Sequence, residues 1–318
     1  MTDHRVLLLS HSQEPLCTER VASALCLLGV EPLRLDTDSF PQTLPLSGVI
    51  EKDGEPTLLY AGQRLSVRAV WLWRIWPPQL SPKLDPKHAG TMIRESVCTL
   101  QGLLDLLPDA EWIDPIDVNL AAGNKTRQLR LARQLGMAIP DTLITRDPDE
   151  VRHFYAAQKG RVIAKLQTQV TQGMHGKGGL PTRLLTAQDL TALESLRLCP
   201  MMFQAYIPKA LELRIAWVDG QAFVGALDGK KCGVDWRYES TASWERHSLP
   251  AAIHSQLAQL MQRLGLRQGA IDMIVRPDGE YVFLEVNPHG EWGMLEQELG
   301  LPIGAALAAA LTGKKRNP

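Results

Sequence analysis

The sequence has little of what a membrane protein, a disulfide scaffold or a nucleic-acid partner requires. No apolar run reaches the roughly 18 residues of a membrane-spanning helix, so no transmembrane segment is expected. The cysteines (Cys17, Cys26, Cys98, Cys199 and Cys232) are odd in number and scattered, with no CxxC pair. That pattern excludes a disulfide framework and a structural zinc site, and makes a reducing cytoplasm the expected compartment. Neither sign of charge prevails: the formal net charge is -1, which gives no general pull toward DNA, RNA or anionic lipid. Any bound anion must therefore meet a local cluster of cations. The opening MTDHRVLLLS carries Asp3 and runs straight into a strand pattern, unlike a signal peptide. The loop after that strand, HSQEPL, lacks the glycines of a dinucleotide fingerprint, so a nicotinamide cofactor is not expected. Internal repeats are absent.

What is present is an ordinary globular composition, 45% hydrophobic and 22% charged. The 318 residues accommodate two domains, or one domain with a sizeable lobe. Arg5 to Ser10 reads as a buried strand, Glu19 to Leu28 as a helix closed by Gly29, and Glu31 to Leu35 as a second strand. Strand, helix and strand in that order predict a parallel α/β unit. Short strands follow up to VWLWRIW, where alternation puts Trp71, Trp73 and Ile75 on one face and Leu72, Arg74 and Trp76 on the other. The tryptophans read as core or interface, with docking of a helical leader peptide as the alternative use. Lys87 to Leu107 has helical spacing, and a boundary is expected between Asp117 and Gly123. Then come a helix capped by Asn124 and stopped by Gly136, an extended Thr142 to Ile144, a helix over Pro148 to Gln158 and the strand RVIAK. A glycine-rich loop, TQVTQGMHGKGGLPT, precedes the strand patterns MFQAYI, LRIAWVDGQAFVGAL and AIDMIVRPDGEYVFLEVN, and an Ala-rich helix closes the chain.

The segment from Ala270 to Asn287 is the most informative. Two apolar runs flank Pro277-Asp278-Gly279-Glu280, and a two-residue Asp-Gly turn predicts a hairpin pairing Pro277 with Glu280 and Arg276 with Tyr281. The same register sets Asp272 opposite Glu285, on one face, with Asn287 two residues along on that face. A three-residue loop would shift the register by one. Two facing carboxylates repel unless one is protonated or a cation lies between them. Their neighbours are almost wholly apolar, which argues against a merely solvated hairpin face. An all-oxygen set of Asp272, Glu285 and Asn287 suits Mg²⁺, or Mn²⁺, rather than zinc. His289, which follows in the next loop, is expected beside the site rather than as a ligand.

With its Asp and then Glu-x-Asn on a C-terminal hairpin, the sequence resembles the ATP-grasp superfamily. The resemblance implies an α/β (α+β) ATP-grasp fold: an N-terminal parallel α/β domain over 1–118, then a two-lobed ATP-grasp domain with lobes over 119–203 and 204–318. It places phosphate-contacting lysines at Lys125 and Lys165 and an adenine-holding linker at FQAYIP, through Gln204, Ala205, Tyr206 and Ile207. It also places a ribose-binding acid at Glu212 and arginines facing the γ-phosphate at Arg214 and Arg237 (in Asp235-Trp236-Arg237). Read without the resemblance, Lys125 opens a basic helix side that could be solvated, and Arg237 could be a surface residue stacked on Trp236. Lys165 is a stronger candidate, since a lysine ending an apolar strand is seldom buried without an anion. Lys177 and the glycines Gly173, Gly176, Gly178 and Gly179 form a loop of the kind that closes over a triphosphate.

Over nearly its full length the chain further resembles the microviridin-type (graspetide) peptide maturases. The matching features are HSQE, RLDTDSFP, VWLWR, NKTRQLRLARQLGMAIPDTLIT, VDWR and FLEVNPHGEW. His289-Gly290-Glu291-Trp292 departs from that family's Asn-Gly-Gln-Trp. The resemblance implies an ATP-dependent ligase that activates Asp or Glu side chains of a ribosomal precursor peptide as acyl-phosphates. Ester or amide crosslinks to Thr, Ser or Lys then form, guided by a leader peptide. A homodimer is implied as well. The alternatives are a ligase that adds an amino acid to a protein or small-molecule carboxylate, as glutamate ligases and glutathione synthetases do, and a nucleotide-binding regulator without catalysis.

Overall fold

The computed structural model describes residues 5–14, 16–167 and 182–313. The expected parallel unit opens the chain as β1 (Val6–Ser10), α1 (Cys17–Leu27) and β2 (Pro32–Asp36). The Glu14 carboxylate of HSQE starts α1 by accepting the N–H groups of Leu16, Cys17 and Thr18 at 3.1, 2.7 and 2.9 Å, which satisfies donors that a helix start leaves unpaired. A small antiparallel sheet follows, of β3 (Leu46–Val49), β4 (Thr57–Tyr60) and β5 (Gln63–Arg64). Then come β6 (Ala69–Leu72), α2 (Ala89–Leu104) and β7 (Glu111–Ile113). Parallel pairing gives the sheet order β2-β1-β6-β7.

One expectation fails here. The VWLWRIW strand ends at Leu72, because the N–H groups of both Trp73 and Arg74 converge on the Leu9 carbonyl, at 2.9 and 3.1 Å, and the chain turns away from the ladder. Alternation is lost beyond that point. Trp71 and Trp73 stack in the core at 5.2 Å, Ile75 packs with the opposite core cluster, and Trp76 lies flat on His11 at 3.6 Å. With Trp71 and Trp73 at most 1% exposed, neither is available to a leader peptide. The segment around Asp117 forms a helix, α3 (Ile116–Ala122), in which the Asn119 side chain donates back to Asp114 O and Pro115 O.

The chain continues through α4 (Lys125–Gln134), β8 (Thr142–Thr145), α5 (Pro148–Ala157) and β9 (Val162–Lys165). As expected, Asn124 caps α4 by accepting the Arg127 N–H at 3.0 Å, and Gly136 ends it at φ +73°. The glycine-rich loop lies outside the described residues, apart from Thr182. With β10 (Arg183–Leu184) and β11 (Met201–Ala205), a second sheet takes the order β10-β9-β11-β8. The last region contains β12 (Leu211–Val218), β13 (Gln221–Asp228), α6 (Trp236–Glu239), β14 (Glu245–Arg246) and α7 (Ala251–Leu264). It ends with β15 (Gln268–Val275), β16 (Tyr281–Asn287), α8 (Gly293–Leu299) and α9 (Ile303–Thr312). Its sheet is antiparallel, in the order β14-β13-β12-β15-β16. No helix among the described residues is long and apolar enough to cross a membrane.

The five-stranded sheet has two unlike faces, as strand alternation requires. Leu213, Ile215 and Trp217 of β12 and Ile271, Met273 and Val275 of β15 pack beneath α4 and α7. The alternate residues, Glu212, Arg214 and Asp272, face the other way. Farther along that second face, Ala216 and Val218 join a core shared with Val6, Leu8 and Trp71 of the N-terminal sheet and with α9.

A polar joint fixes the N-terminal sheet to the start of β15. Asp114, just past β7, accepts the N–H groups of Arg267 and Gln268 at 2.9 and 3.2 Å. Gln268 in turn accepts Trp71 Nε1 at 2.7 Å. Burial pushes the Asp114 carboxyl up to about 6, against the pull of those two N–H groups. The folded chain therefore holds a proton that the unfolded chain, with an ordinary Asp near 3.8, has already released. Stability carried by this group is present at low pH and is lost as pH rises through about 6. The unfolding free energy of the protein minus that of Asp114→Asn should fall by about 2–3 kcal/mol between about pH 4 and pH 7. Denaturant melts across that range measure it, and a flat difference contradicts it.

Candidate active site

The hairpin places its acids by a route the sequence did not show. The turn holds three residues, Pro277 to Gly279, closed by Arg276 N–H to Glu280 O at 2.9 Å, with Gly279 at φ +88°. A left-handed glycine at that position is the usual device of a three-residue loop. The outer pairs are therefore shifted by one, Val275 with Tyr281 and Met273 with Phe283, which corrects the expected two-residue turn and the pairs drawn from it. A bulge between Asp272 and Met273 then restores the offset, and Asp272 faces Glu285 after all. The bulge also turns two consecutive residues, Leu284 and Glu285, into the same cleft.

The outer edge of β16 is held by α4. Lys125 and Gln128 lie three apart on one face of that helix. Gln128 is fully buried; its Oε1 accepts the Val286 N–H at 2.9 Å and its Nε2 donates to Val286 O at 2.8 Å. The side-chain amide thus stands in for a neighbouring strand at the residue between Glu285 and Asn287. Lys125 Nζ lies 2.9 Å from Glu285 Oε2, and Lys165 Nζ, at the end of β9, lies 2.8 Å from the same oxygen. Burial pushes the Glu285 carboxyl up, but Lys165 and then Lys125 outweigh it and hold it well below the usual carboxylate range. Burial pulls the Lys125 ammonium down, with Glu285 opposing.

Asn287 Nδ2 lies 3.0 Å from Glu285 Oε1 and 3.4 Å from Asp272 Oδ2, so the three expected ligands meet. Which end of an amide is nitrogen is a matter of assignment. Turned end for end, Asn287 presents its oxygen to both carboxylates, and the set becomes all-oxygen, as a hard divalent cation requires. Arg214 grips Asp272 through Nη1, at 2.8 and 3.0 Å from the two carboxylate oxygens. Its Nε and Nη2 donate to Glu291 O at 3.1 and 2.8 Å.

These groups close one end of a cleft of about 700 Å³ between the second sheet and the five-stranded sheet. Ile163, Ile207, Ile274 and Leu284 give it apolar walls at the other end, a setting for a flat heteroaromatic ring. In the linker, the N–H groups of Ala205 and Tyr206 are taken by Asp141 O and Arg161 O, both at 2.9 Å. The Ile207 N–H has no partner among the described residues and is the linker donor left for a ligand. The buried Gln204 side chain donates to Thr142 Oγ1 at 3.0 Å, and so braces the linker from within the sheet. Arg237, at the mouth, is held in a two-point grip by Asp235, with Nε and Nη2 at 2.8 and 2.7 Å from its two oxygens, rather than being stacked on Trp236. Trp236 packs edge-on against Trp244 instead.

Comparison with known proteins identifies this arrangement. Residues 5–119 match the family model of the MvdD pre-ATP grasp domain. The macrocyclase MdnB from Microcystis aeruginosa MRC has a TM-score of 0.83 at 44% identity, over 96% of this chain and 98% of that one. MdnC from the same organism, bound with precursor peptide MdnA, has a TM-score of 0.86 at 33% identity, over 97% and 99%. This chain belongs to the ATP-grasp peptide macrocyclases. A RiPP-associated ATP-grasp ligase from Chryseobacterium gregarium, in complex with ADP and a leader and core peptide, has a TM-score of 0.86 at 28% identity over 98% of each chain. The chain spans about half the length of the curated relative it matches, a glutathione synthetase from Nostoc sp., at 30% identity over 172 residues, 52% of this chain and 51% of that one.

The cleft of this ATP-grasp protein also depends on residues whose role is support, two of which the sequence did not single out. Gln128 was readable only as part of a polar helix, although its three-residue spacing from Lys125 was visible. Lys209, almost fully buried, pairs with Glu212 and also donates to Val234 O at 3.3 Å. Burial pushes the Glu212 carboxyl up to about 7, and Lys209 pulls it back. If Glu212 accepts ribose hydroxyls as a carboxylate, binding strengthens as pH rises through about 7. Affinity for Mg·ADP by titration calorimetry should increase by up to about tenfold from pH 6 to pH 8. Glu212→Gln should abolish that dependence, and a wild-type affinity that stays flat over the range speaks against the role.

Proposed function

We propose that the protein is an ADP-forming ligase that crosslinks side chains of a ribosomal precursor peptide into macrocycles. The single observation that carries this reading is the Glu285 carboxylate, buried and ionised against Lys125 and Lys165 at the charged end of the cleft between the two sheets. The full-length likeness to two macrocyclases supports peptide crosslinking over the glutathione-synthetase-like alternative, which matches only half of each chain.

Joining a carboxylate to an amine or alcohol in water is uphill, so the carboxylate must first be activated. A peptide Asp or Glu oxygen attacks the γ-phosphorus of ATP, and ADP departs. The amine or hydroxyl of a Lys, Ser or Thr then attacks the acyl carbon, and phosphate leaves. The protein's share is positioning and charge neutralisation. Lys125 and Lys165 offset phosphate charge from one side of the cleft, and Arg214 and Arg237, fixed in place by Glu291 O, Asp272 and Asp235, turn their positive charge toward the transferring group. Gln204, Ala205, Tyr206 and Ile207 seat the adenine and Glu212 the ribose. Asp272, Glu285 and Asn287 would hold Mg²⁺ (or Mn²⁺), which would supply neutralisation of the phosphate charge that develops during transfer. A leader segment of the peptide guides binding. A homodimer in the cytoplasm completes the reading.

Incubation with Mg·ATP and a leader-plus-core peptide, MdnA first, followed by mass spectrometry, tests the proposal. Each crosslink should remove the mass of one water and release one ADP. A gain equal to an added amino acid would sink the macrocyclase reading in favour of the alternative. Asp272→Ala and Glu285→Ala should lose ADP release by at least about 100-fold, measured with a coupled ADP assay on protein that thermal melts show to be folded. Normal release from either variant overturns the metal assignment.

A further inference from the structure

The N-terminal domain reaches toward the reaction centre at Glu291. Arg74, two residues beyond β6, donates from Nη2 to Glu291 Oε1 at 2.7 Å and to His289 O at 3.1 Å. Neither side chain of this ion pair is more than 19% exposed. The arginine cannot drift: its guanidinium lies over the Trp73 ring at 5.3 Å, and Trp73 meets the buried Trp292 edge-on at 6.1 Å. Glu291 is held from its other oxygen as well, by the Cys17 thiol at 3.4 Å.

What Glu291 then offers is its backbone carbonyl. That oxygen takes both Nε and Nη2 of Arg214, leaving Nη1 to grip Asp272. The close approach is built into the loop, since a Cβ on Gly290 would lie 2.8 Å from Arg214 Nη2 and 2.4 Å from the Ala270 Cβ. A planar guanidinium fixed at two nitrogens by one carbonyl has its third nitrogen aimed by that carbonyl. Its orientation is only as good as the anchoring of Glu291, and that anchoring comes from the N-terminal domain, from Arg74 just beyond β6 and from Cys17 at the start of α1.

We propose that Arg74 and Glu291 are positioning residues for the γ-phosphate. The pair sets the plane of Arg214 from the N-terminal domain, along the path Arg74, Glu291, Arg214, Asp272. This rests on the proposed role of Arg214. It goes beyond that role in making the pre-ATP-grasp domain part of the phosphoryl-transfer apparatus rather than only a peptide platform. Displacing a supporting group by about 1 Å can cost about 100-fold in rate at such a centre.

The test compares affinity for Mg·AMPPNP and Mg·ADP by titration calorimetry, since only the first carries a γ-phosphate, with thermal melts recorded for every variant. Arg74→Met and Glu291→Ala should each weaken Mg·AMPPNP binding by about tenfold and leave Mg·ADP within about twofold. Glu291→Gln, which keeps an acceptor for Arg74, should retain AMPPNP affinity within about threefold. Should Arg74→Met fail to fold, the contrast between Glu291→Ala and Glu291→Gln decides the matter alone. Parallel weakening of both nucleotides, or no change in either, marks the pair as a domain brace and overturns the proposal. Arg214→Met separates the two levels. If it keeps the full preference for AMPPNP, the γ-phosphate role of Arg214 falls and this inference falls with it. If it loses the preference while Arg74→Met does not, the positioning role alone is overturned.

Discussion

One buried carboxylate organises this molecule. Glu285 receives Lys125 from α4 and Lys165 from β9, so three separate stretches of chain meet on a single side chain. Burying an unpaired carboxylate costs several kcal/mol, and taking one partner from a buried ion pair typically costs about 3–5 kcal/mol. The two lysines are therefore a condition for the hairpin to sit where it does. They also leave a local excess, since Lys125, Lys165 and Arg214 face only Asp272 and Glu285. The chain as a whole is nearly neutral, yet this end of the cleft is prepared for a polyphosphate. Fixed cations placed before the charge arrives are the form of electrostatic assistance that phosphoryl transfer needs most.

The rest of the architecture keeps that carboxylate in place. The five-stranded sheet gives one face to an apolar core beneath α4 and α7 and keeps the other for Glu212, Arg214 and Asp272. On the outer side of the edge strand β16, Gln128 supplies both bonds that a neighbouring strand would make at Val286. The bulge in the hairpin carries out the remaining adjustment, letting Phe283 and Val286 stay in the core while Leu284 and Glu285 both line the cleft. Farther out, the joint at Asp114 and Gln268 and the shared core around Trp71 bind the N-terminal domain to the same sheet. That joint lies on β15, the strand that carries Asp272.

Membership of the macrocyclase family rests on likeness along the whole chain, including the pre-ATP-grasp domain. The cleft by itself would suit many ligases of the same fold. What a fold fixes is nucleotide chemistry, and what surrounds it selects the carboxylate and the nucleophile. The departure at His289 and Glu291 lies in that surround: it puts a carboxylate opposite Arg74, which also bonds the His289 backbone carbonyl.

The sequence by itself determined the parallel N-terminal unit, the capped α4 and a hairpin that carries Asp272, Glu285 and Asn287 together, because these follow from local rules. Apolar runs bounded by turns make strands, Asn124 caps a helix, and an acid in an apolar strand demands a counter-charge. It did not determine how the hairpin closes. The Asp278-Gly279 pair read as a two-residue turn, and the facing of Asp272 and Glu285 came from a three-residue turn compensated by a bulge. A bulge reflects what the strand packs against, and periodicity carries no trace of it. Trp73 to Trp76 left their expected alternation for a similar reason, a backbone contact at Leu9 that no local pattern encodes. The partners of Glu285, the clamp by Gln128 and the carbonyl that orients Arg214 lie between 77 and 160 residues away in the chain. Only the tertiary structure could bring them together, since desolvation makes an ion pair strong and desolvation exists only once the layers have packed.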